Sequence, residues 1–179
     1  MNTYKGMIVD IETVPIYSLN DVMSYGKYSP HPLKEKIVCL CTLDLDTGIV
    51  HSFSGDEKFI LESFWEEVEN KNNLWGFNIE GFDMVYIRTR SLLHDVNIRN
   101  YRVYDIKHII YHTTSMWKGK LQEFAKELHL SVTEDNNGSN VYEHYKNNEL
   151  HKIIEHCEED VKICFEIIKK MKKVGMIDE

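Results

Sequence analysis

The chain has 179 residues, 42% hydrophobic, 28% charged and 11% aromatic, which is the profile of one globular domain with a sizeable core and excludes a disordered or fibrous chain. A net charge of −8, from 29 acids against 21 bases, argues against coating nucleic acid by bulk attraction but leaves open a local site where cations offset phosphate charge. No apolar run approaches the roughly 18 residues of a membrane span, and "MNTYKGMIVD" reaches a charge too early for a secretory signal, so a cytoplasmic protein with no membrane partner is expected.

The first strand is expected in "GMIVDIET", followed by a long segment without periodicity, "PIYSLNDVMSYGKYSPHPLKE", which reads as a loop or loosely packed flap. "KIVCLCTLDL" and "GIVHSF", joined by the turn "DTG", complete an antiparallel meander. "GDEKFILESFWEEVEN" is a helix with Phe59, Ile60, Phe64, Trp65 and Val68 on one stripe and Asp56 at its start. "NLWGFN" is a short strand leading through "IEG" into a second helix, "FDMVYIRTRSLLHDV". "RNYRVYDIKHII" reads as a fifth strand running into a helix, and "GKLQEFAKELHL" as a further helix closed by the turn "SVTEDNNGSN". "VYEHYKN" then leads into a final helix from about His151 to Met171. Hairpins first and alternating strands and helices afterwards predict an α/β fold, a mixed sheet with helices on both faces, in a single domain over 1–179.

Cys39 and Cys41 share one face of the second long strand, and Cys157 and Cys164 lie seven apart on the last helix. Both pairs have the spacing of buried thiols; a zinc site drawing on the strand and helix cysteines together is the competing reading, for which C-x-C alone is a weak signal.

The acids are more informative. Asp10 and Glu12 sit close to the end of a greasy strand and, two residues apart, point the same way, near enough to converge on one hard cation. A strand that has simply reached solvent would look the same. Asp83 borders the apolar stripe of its helix beside Tyr86 and Ile87, where an acid favoured by the helix dipole is the competing explanation. Asp160 lies mid-helix among Ile153, Cys157, Val161, Cys164 and Ile168, so it leans toward the core and needs either a cation or a basic partner from a neighbouring element. Four carboxylates from three distant segments suit two-metal phosphoryl transfer with Mg²⁺ or Mn²⁺, and oxygen-only ligation points away from zinc.

In their order and separation, "IVDIETVP", "GFNIEGFD" and "HCEEDV" resemble the three motifs of the DEDD, or DnaQ-like, 3′-to-5′ exonuclease superfamily. The likeness extends over nearly the whole chain and is nearest to stand-alone nucleases related to the proofreading domain of family B DNA polymerases. It implies a ribonuclease H-like fold with a five-stranded mixed sheet. It further implies that Asp10, Glu12 and Asp160 hold a first divalent ion, that Asp10 also reaches a second, and that Asp83 acts largely through a coordinated water. By the same resemblance Ile11 and Thr13 lie against the 3′-terminal nucleotide, and Asn78 and Phe82 near the penultimate one. The expected partner is the 3′ end of single-stranded DNA or RNA, with any proofreading done in trans beside a separate polymerase or replication and repair proteins.

One position departs from that pattern. The resembled families place a Tyr four residues before the last Asp or a His five before it, whereas here His156 is four before Asp160 and Glu155 is five before. Residues four apart on a helix share a face, so His156 can stand over the same site, and a neutral imidazole is a competent water-orienting base near pH 7. Arg88, Arg90, Arg99, Arg102, Lys118 and Lys120 are candidate nucleic-acid contacts, with Tyr17, Tyr25 and Tyr28 as stacking platforms. A catalytically weak or inactive nucleic-acid-binding module on the same fold is the alternative expectation, supported by the missing tyrosine alone. An unrelated carboxylate enzyme such as a glycosidase would not account for three separated acidic motifs.

Overall fold

The computed structural model describes residues 6–24, 27–111, 119–131 and 140–177. Strand β1 (Met7–Pro15) is central because it is apolar on both faces: Met7, Val9 and Ile11 enter one core cluster, Ile8 and Val14 the other. The chain then makes a 3-10 turn at Leu19–Val22 and a small hairpin, β2 (Met23–Ser24) with β3 (Lys27–Tyr28), in the segment expected to be a flap. That segment is held down by Glu35, a fully buried carboxylate that accepts hydrogen bonds from the Tyr28 and Tyr86 hydroxyls and from the His31 N–H. Strands β4 (Glu35–Asp44) and β5 (Val50–Ser54) follow, and the antiparallel pairs β1–β4 and β4–β5 form the expected meander.

Helix α1 (Glu57–Asn70) starts where the Asp56 carboxylate accepts the Phe59 N–H, 3.1 Å away, so Asp56 acts as an N-cap as well as a favourable charge. It crosses to β6 (Asn73–Gly76), parallel to β1. Helix α2 (Asp83–Leu93) crosses in turn to β7 (Arg102–Asp105), parallel to β6. Helices α3 (Ile106–Tyr111), α4 (Leu121–Glu127), α5 (Val141–Lys146) and α6 (Leu150–Lys173) complete the chain. The sheet order is β5-β4-β1-β6-β7, a five-stranded mixed sheet, as expected.

Helices cover both faces. Ile60, Leu61, Phe64 and Trp65 of α1 and Ile87 of α2 pack with Met7, Val9, Ile37, Leu40 and Leu74. On the other face Ile153, Cys157, Val161, Cys164 and Ile168 of α6 pack with Ile8, Cys39, Cys41 and Leu43. Each aliphatic side chain so buried contributes roughly 1.5–3 kcal/mol, which fixes α6 over β1 and β4. Lys170, Lys172 and Lys173 end α6 where the helix dipole favours cations.

One expectation is overturned here. Arg90, a candidate nucleic-acid contact, is buried between α1 and α2, its Nη2 2.6 Å from Glu57 Oε2 and its Nε 2.8 Å from Glu57 Oε1. Glu57 also accepts the Ile37 N–H at 2.7 Å and lies 2.8 Å from His94 Nε2, so the guanidinium is spent on the core.

Candidate active site

Side chains on β1 alternate faces, so Asp10 and Glu12 share the face of Ile8, the one α6 covers. In the ladder to β4, Asp10 pairs with Cys41 and Glu12 with Cys39, but Thr13 pairs with Ile37. Val38 is therefore an unpaired bulge residue, and the local bend lies immediately beside Glu12. From α6, Asp160 and His156 face the same spot one helical turn apart: His156 Nε2 is 3.1 Å from Glu12 Oε1. Glu12, His156 and Asp160 each offer a ligand atom within 4.8 Å of the others.

Asp83 arrives from the opposite face, at the first turn of α2. It is buried, and its Oδ1 accepts the Ile11 N–H at 3.1 Å, which ties the α2 start to the strand carrying Asp10 and Glu12. The connection is tight because β6 runs against β1 at Gly76, where a Cβ would meet Val9 O and Ile79 Cβ, each at 2.9 Å. Asn78 then adopts a left-handed conformation, with φ of 63°. That loop is held by Asp105 at the end of β7, a buried carboxylate that the sequence reading did not single out. It accepts the N–H groups of Asn78 (3.1 Å), Glu80 (3.2 Å), Lys107 (2.9 Å) and His108 (3.3 Å).

The carboxylates repel one another where most of each side chain is withdrawn from water. Burial first, then Asp160, Asp83 and Glu12, hold the Asp10 pKa well above the usual carboxylate range. Burial followed by Asp160 and Asp83 does the same to Glu12. Burial pushes Asp83 up to about 8, against the hydrogen bonds it accepts. His156 shifts the other way, held down to about 4 by burial, so its imidazole is neutral at pH 7. Asp10 Oδ2 and His156 Nδ1 are buried with no hydrogen-bond partner among the described residues. Each such atom costs about 1–3 kcal/mol, so the cluster is electrostatically incomplete by itself. Clustered carboxylate oxygens with one imidazole fit a hard divalent cation such as Mg²⁺ or Mn²⁺.

A cleft of about 750 Å³ opens over this cluster and is lined by Asp10, Glu12, Asp160 and His156. All four residues expected against the substrate, Ile11, Thr13, Asn78 and Phe82, also line it, while Asp83 sits behind the wall. Three lining residues had no signal in the sequence. Gln122 of α4 donates to both oxygens of Asp160, at 3.1 and 3.2 Å. Lys107 reaches Asn78 Oδ1 at 3.4 Å, and Met23 brings the β2–β3 hairpin to the rim. Lys120 and Tyr28 do line the cleft, as the sequence suggested, but Tyr17 does not. Nor do Arg88, Arg99 and Arg102; Arg99 Nη2 instead pairs with Glu69 Oε1 at 2.5 Å. Lys118 and Tyr25 lie outside the described residues.

Comparison with known proteins agrees with this fold. A family model, RNase_H_2, described as RNase_H superfamily, matches residues 7–172. The chain is 29% identical over 188 residues to the uncharacterized protein MJ0365 of Methanocaldococcus jannaschii, covering 96% of this chain and 98% of that one. Its fold is similar to that of the family B DNA polymerase from the hyperthermophilic archaeon Pyrobaculum calidifontis, with a TM-score of 0.73 at 17% identity over 97% of this chain. The chain spans about a quarter of that polymerase, 25% of its length. The ribonuclease H-like sheet implied by the three acidic motifs is therefore present.

Proposed function

The chain belongs to the RNase H superfamily, and from that premise we propose that it is a metal-dependent 3′-to-5′ exonuclease acting on single-stranded DNA or RNA and releasing nucleoside 5′-monophosphates. The observation that carries this reading is the convergence of Asp10, Glu12, Asp83 and Asp160 from β1, α2 and α6, with one carboxylate oxygen buried and unpartnered at the floor of an open cleft. In it, Asp10, Glu12 and Asp160 would hold one divalent ion, and Asp10, with Asp83 acting largely through water, would serve a second. Such ions, when bound, make water nucleophilic at neutral pH and stabilise the departing oxygen.

The chain's own residues do the rest. His156, neutral at pH 7 and anchored 3.1 Å from Glu12, orients the attacking water and accepts its proton. Gln122 holds the Asp160 carboxylate through both oxygens, so that α6 presents it in one rotamer. Ile11 and Thr13 contact the terminal nucleotide, Asn78 and Phe82 the next one, and Lys107 and Lys120 offset phosphate charge on an otherwise acidic surface. We assign a single-stranded end to the cleft, which is lined by Met23 of the hairpin and Tyr142 of α5 as well as by the acids.

The test is to incubate the protein with 5′-labelled single-stranded DNA and RNA in Mg²⁺, Mn²⁺ or chelator, beside Asp10→Asn. Metal-dependent laddering from the 3′ end, abolished in the variant, is the expected result. Binding without degradation in every metal would instead mark an inactive nucleic-acid-binding module on this fold.

A further inference from the structure

The last helix and the second long strand bring together three side chains that the sequence separates into two pairs. Cys39 and Cys41 of β4 and Cys157 of α6 are all buried, and their sulfurs lie within 4.8 Å of one another. We propose that Cys39, Cys41 and Cys157 form a binding site for one thiophilic d¹⁰ cation, Zn²⁺ or Cu⁺, distinct from the carboxylate site.

The first observation is convergence. Same-face residues two apart on a strand are separated by roughly 7 Å along it. Yet the Cys39 and Cys41 sulfurs are 3.9 Å apart, so the two side chains lean toward each other and toward the helix. The thiol–thiol contact, the Cys157 S–H donated to the Asp10 carbonyl and the Cys41 S–H donated to Ser52 hold this arrangement without an ion, so the three sulfurs are pre-positioned for one. The second observation is scale. Ligand sulfurs at about 2.3 Å from an ion are about 3.8–4.0 Å from one another in tetrahedral or trigonal geometry. One pair already has that separation, and closing the others requires less than about 1 Å of side-chain movement.

The third observation is the set of neighbouring atoms. The Asp10 carbonyl oxygen lies 3.3 Å from Cys157 Sγ, and Ser52 Oγ 3.4 Å from Cys41 Sγ, so an oxygen donor is at hand for a four-coordinate ion. Ser52 in turn donates to Glu158 Oε1 at 2.7 Å, which fixes its hydroxyl. Three sulfurs select soft or borderline ions and reject the Mg²⁺ and Mn²⁺ that suit the carboxylates. Cys164 also lies on α6 and is buried, but it stands two helical turns from Cys157 and is not part of the cluster. Since the sulfurs are closed off from solvent, the ion enters as the chain folds and is retained afterwards. Its place between β4 and α6, directly across the ladder from Asp10 and Glu12, would set the distance at which α6 holds His156 and Asp160.

The test is spectroscopic and independent of nuclease activity. Metal-free reduced protein is refolded with Cd²⁺, and the thiolate-to-cadmium absorption is titrated, with cadmium NMR on the unmutated protein reading the donor set. Saturation at one ion per chain, a thiolate-rich cadmium resonance, and absorption reduced by about a third or more in Cys39→Ser and in Cys157→Ser are expected. Cys164→Ser and Asp83→Asn should leave the absorption unchanged. Absent absorption, a cadmium resonance typical of oxygen ligands, or equal loss in Cys164→Ser would overturn the proposal. So would two thiols missing from the unreduced, metal-free protein, which would mark a disulfide. Metal analysis of the protein as purified distinguishes Zn²⁺ from Cu⁺.

Discussion

Replacing Asp83 by Asn should stabilise the protein without metal and weaken its response to metal. The Asn side chain keeps an oxygen that can accept the Ile11 N–H, and it replaces with a neutral amide a carboxyl that must hold a proton in the folded state beside the other buried acids. With the carboxyl pushed up to about 8 from an ordinary 3.8, holding its proton in the folded state costs up to about 4 kcal/mol at pH 7, at about 1.4 kcal/mol per pH unit. Relaxation of the site and entry of water reduce the effect, so we expect about 1–3 kcal/mol. The sign follows from linkage: the folded pKa is raised, so this contribution to stability is fully present below about pH 4 and is lost as pH rises toward about 8. Thermal melts in chelator should therefore show Asp83→Asn above wild type at pH 7, by about 2–12 °C for a chain of this size, with a flatter decline between pH 5 and pH 8. Saturating Mn²⁺ should narrow or close this gap, since a ligand at about 100 times its Kd adds about 2.7 kcal/mol to the wild type and less to the variant. A variant that melts at or below wild type in chelator, or gains as much from Mn²⁺, would refute the electrostatic reasoning.

Three other substitutions probe separate parts of the structure. His156→Ala should lower kcat about 10²-fold in saturating metal, and the ratio of wild-type to variant rates should stay flat from about pH 5.5 to 7.5, because burial keeps the imidazole neutral throughout. A ratio that collapses near pH 6.5 would show that the imidazole protonates there. Arg90→Met takes the guanidinium from the buried Glu57 carboxylate and should cost about 3–5 kcal/mol in urea unfolding, much of it recovered in the Arg90→Met/Glu57→Gln double variant, whose amide oxygen can still accept the Ile37 N–H. Asp105→Ala removes the acceptor for four backbone N–H groups, so it should cost about 2–4 kcal/mol and speed hydrogen exchange in residues 77–82, while Asp105→Asn should cost less.

Elements with strong periodicity were the ones the sequence disclosed. The meander, α1 and α6 follow directly from alternation and from the 3.6-residue stripe, and α6 spans Leu150–Lys173 against an expected His151 to Met171. The carboxylates were legible because each departs from its surroundings: Asp160 interrupts an apolar stripe, and Asp10 interrupts a core strand. What stayed hidden depends on tertiary partners. Glu35 and Glu57 look like ordinary acids at element ends, and only the fold reveals two tyrosine hydroxyls over one and Arg90 over the other. Asp105 looks like an ordinary acid ahead of a helix, where it accepts the Lys107 and His108 N–H groups, and only the fold adds the loop N–H groups of Asn78 and Glu80, 25 to 27 residues earlier. Along the chain the cysteines fall into two pairs, whereas the sheet-to-helix contact brings three of them together and leaves Cys164 apart. The small hairpin at Met23–Ser24 and Lys27–Tyr28 is too short for any repeat to register.

The most direct measurement is anomalous diffraction from a crystal equilibrated with Mn²⁺. Two peaks about 3.5–4 Å apart are predicted, enclosed by Asp10, Glu12, Asp83 and Asp160, with Asp10 between them. A site without manganese, its carboxylates turned outward or joined to Lys107 and Lys120, would contradict the account.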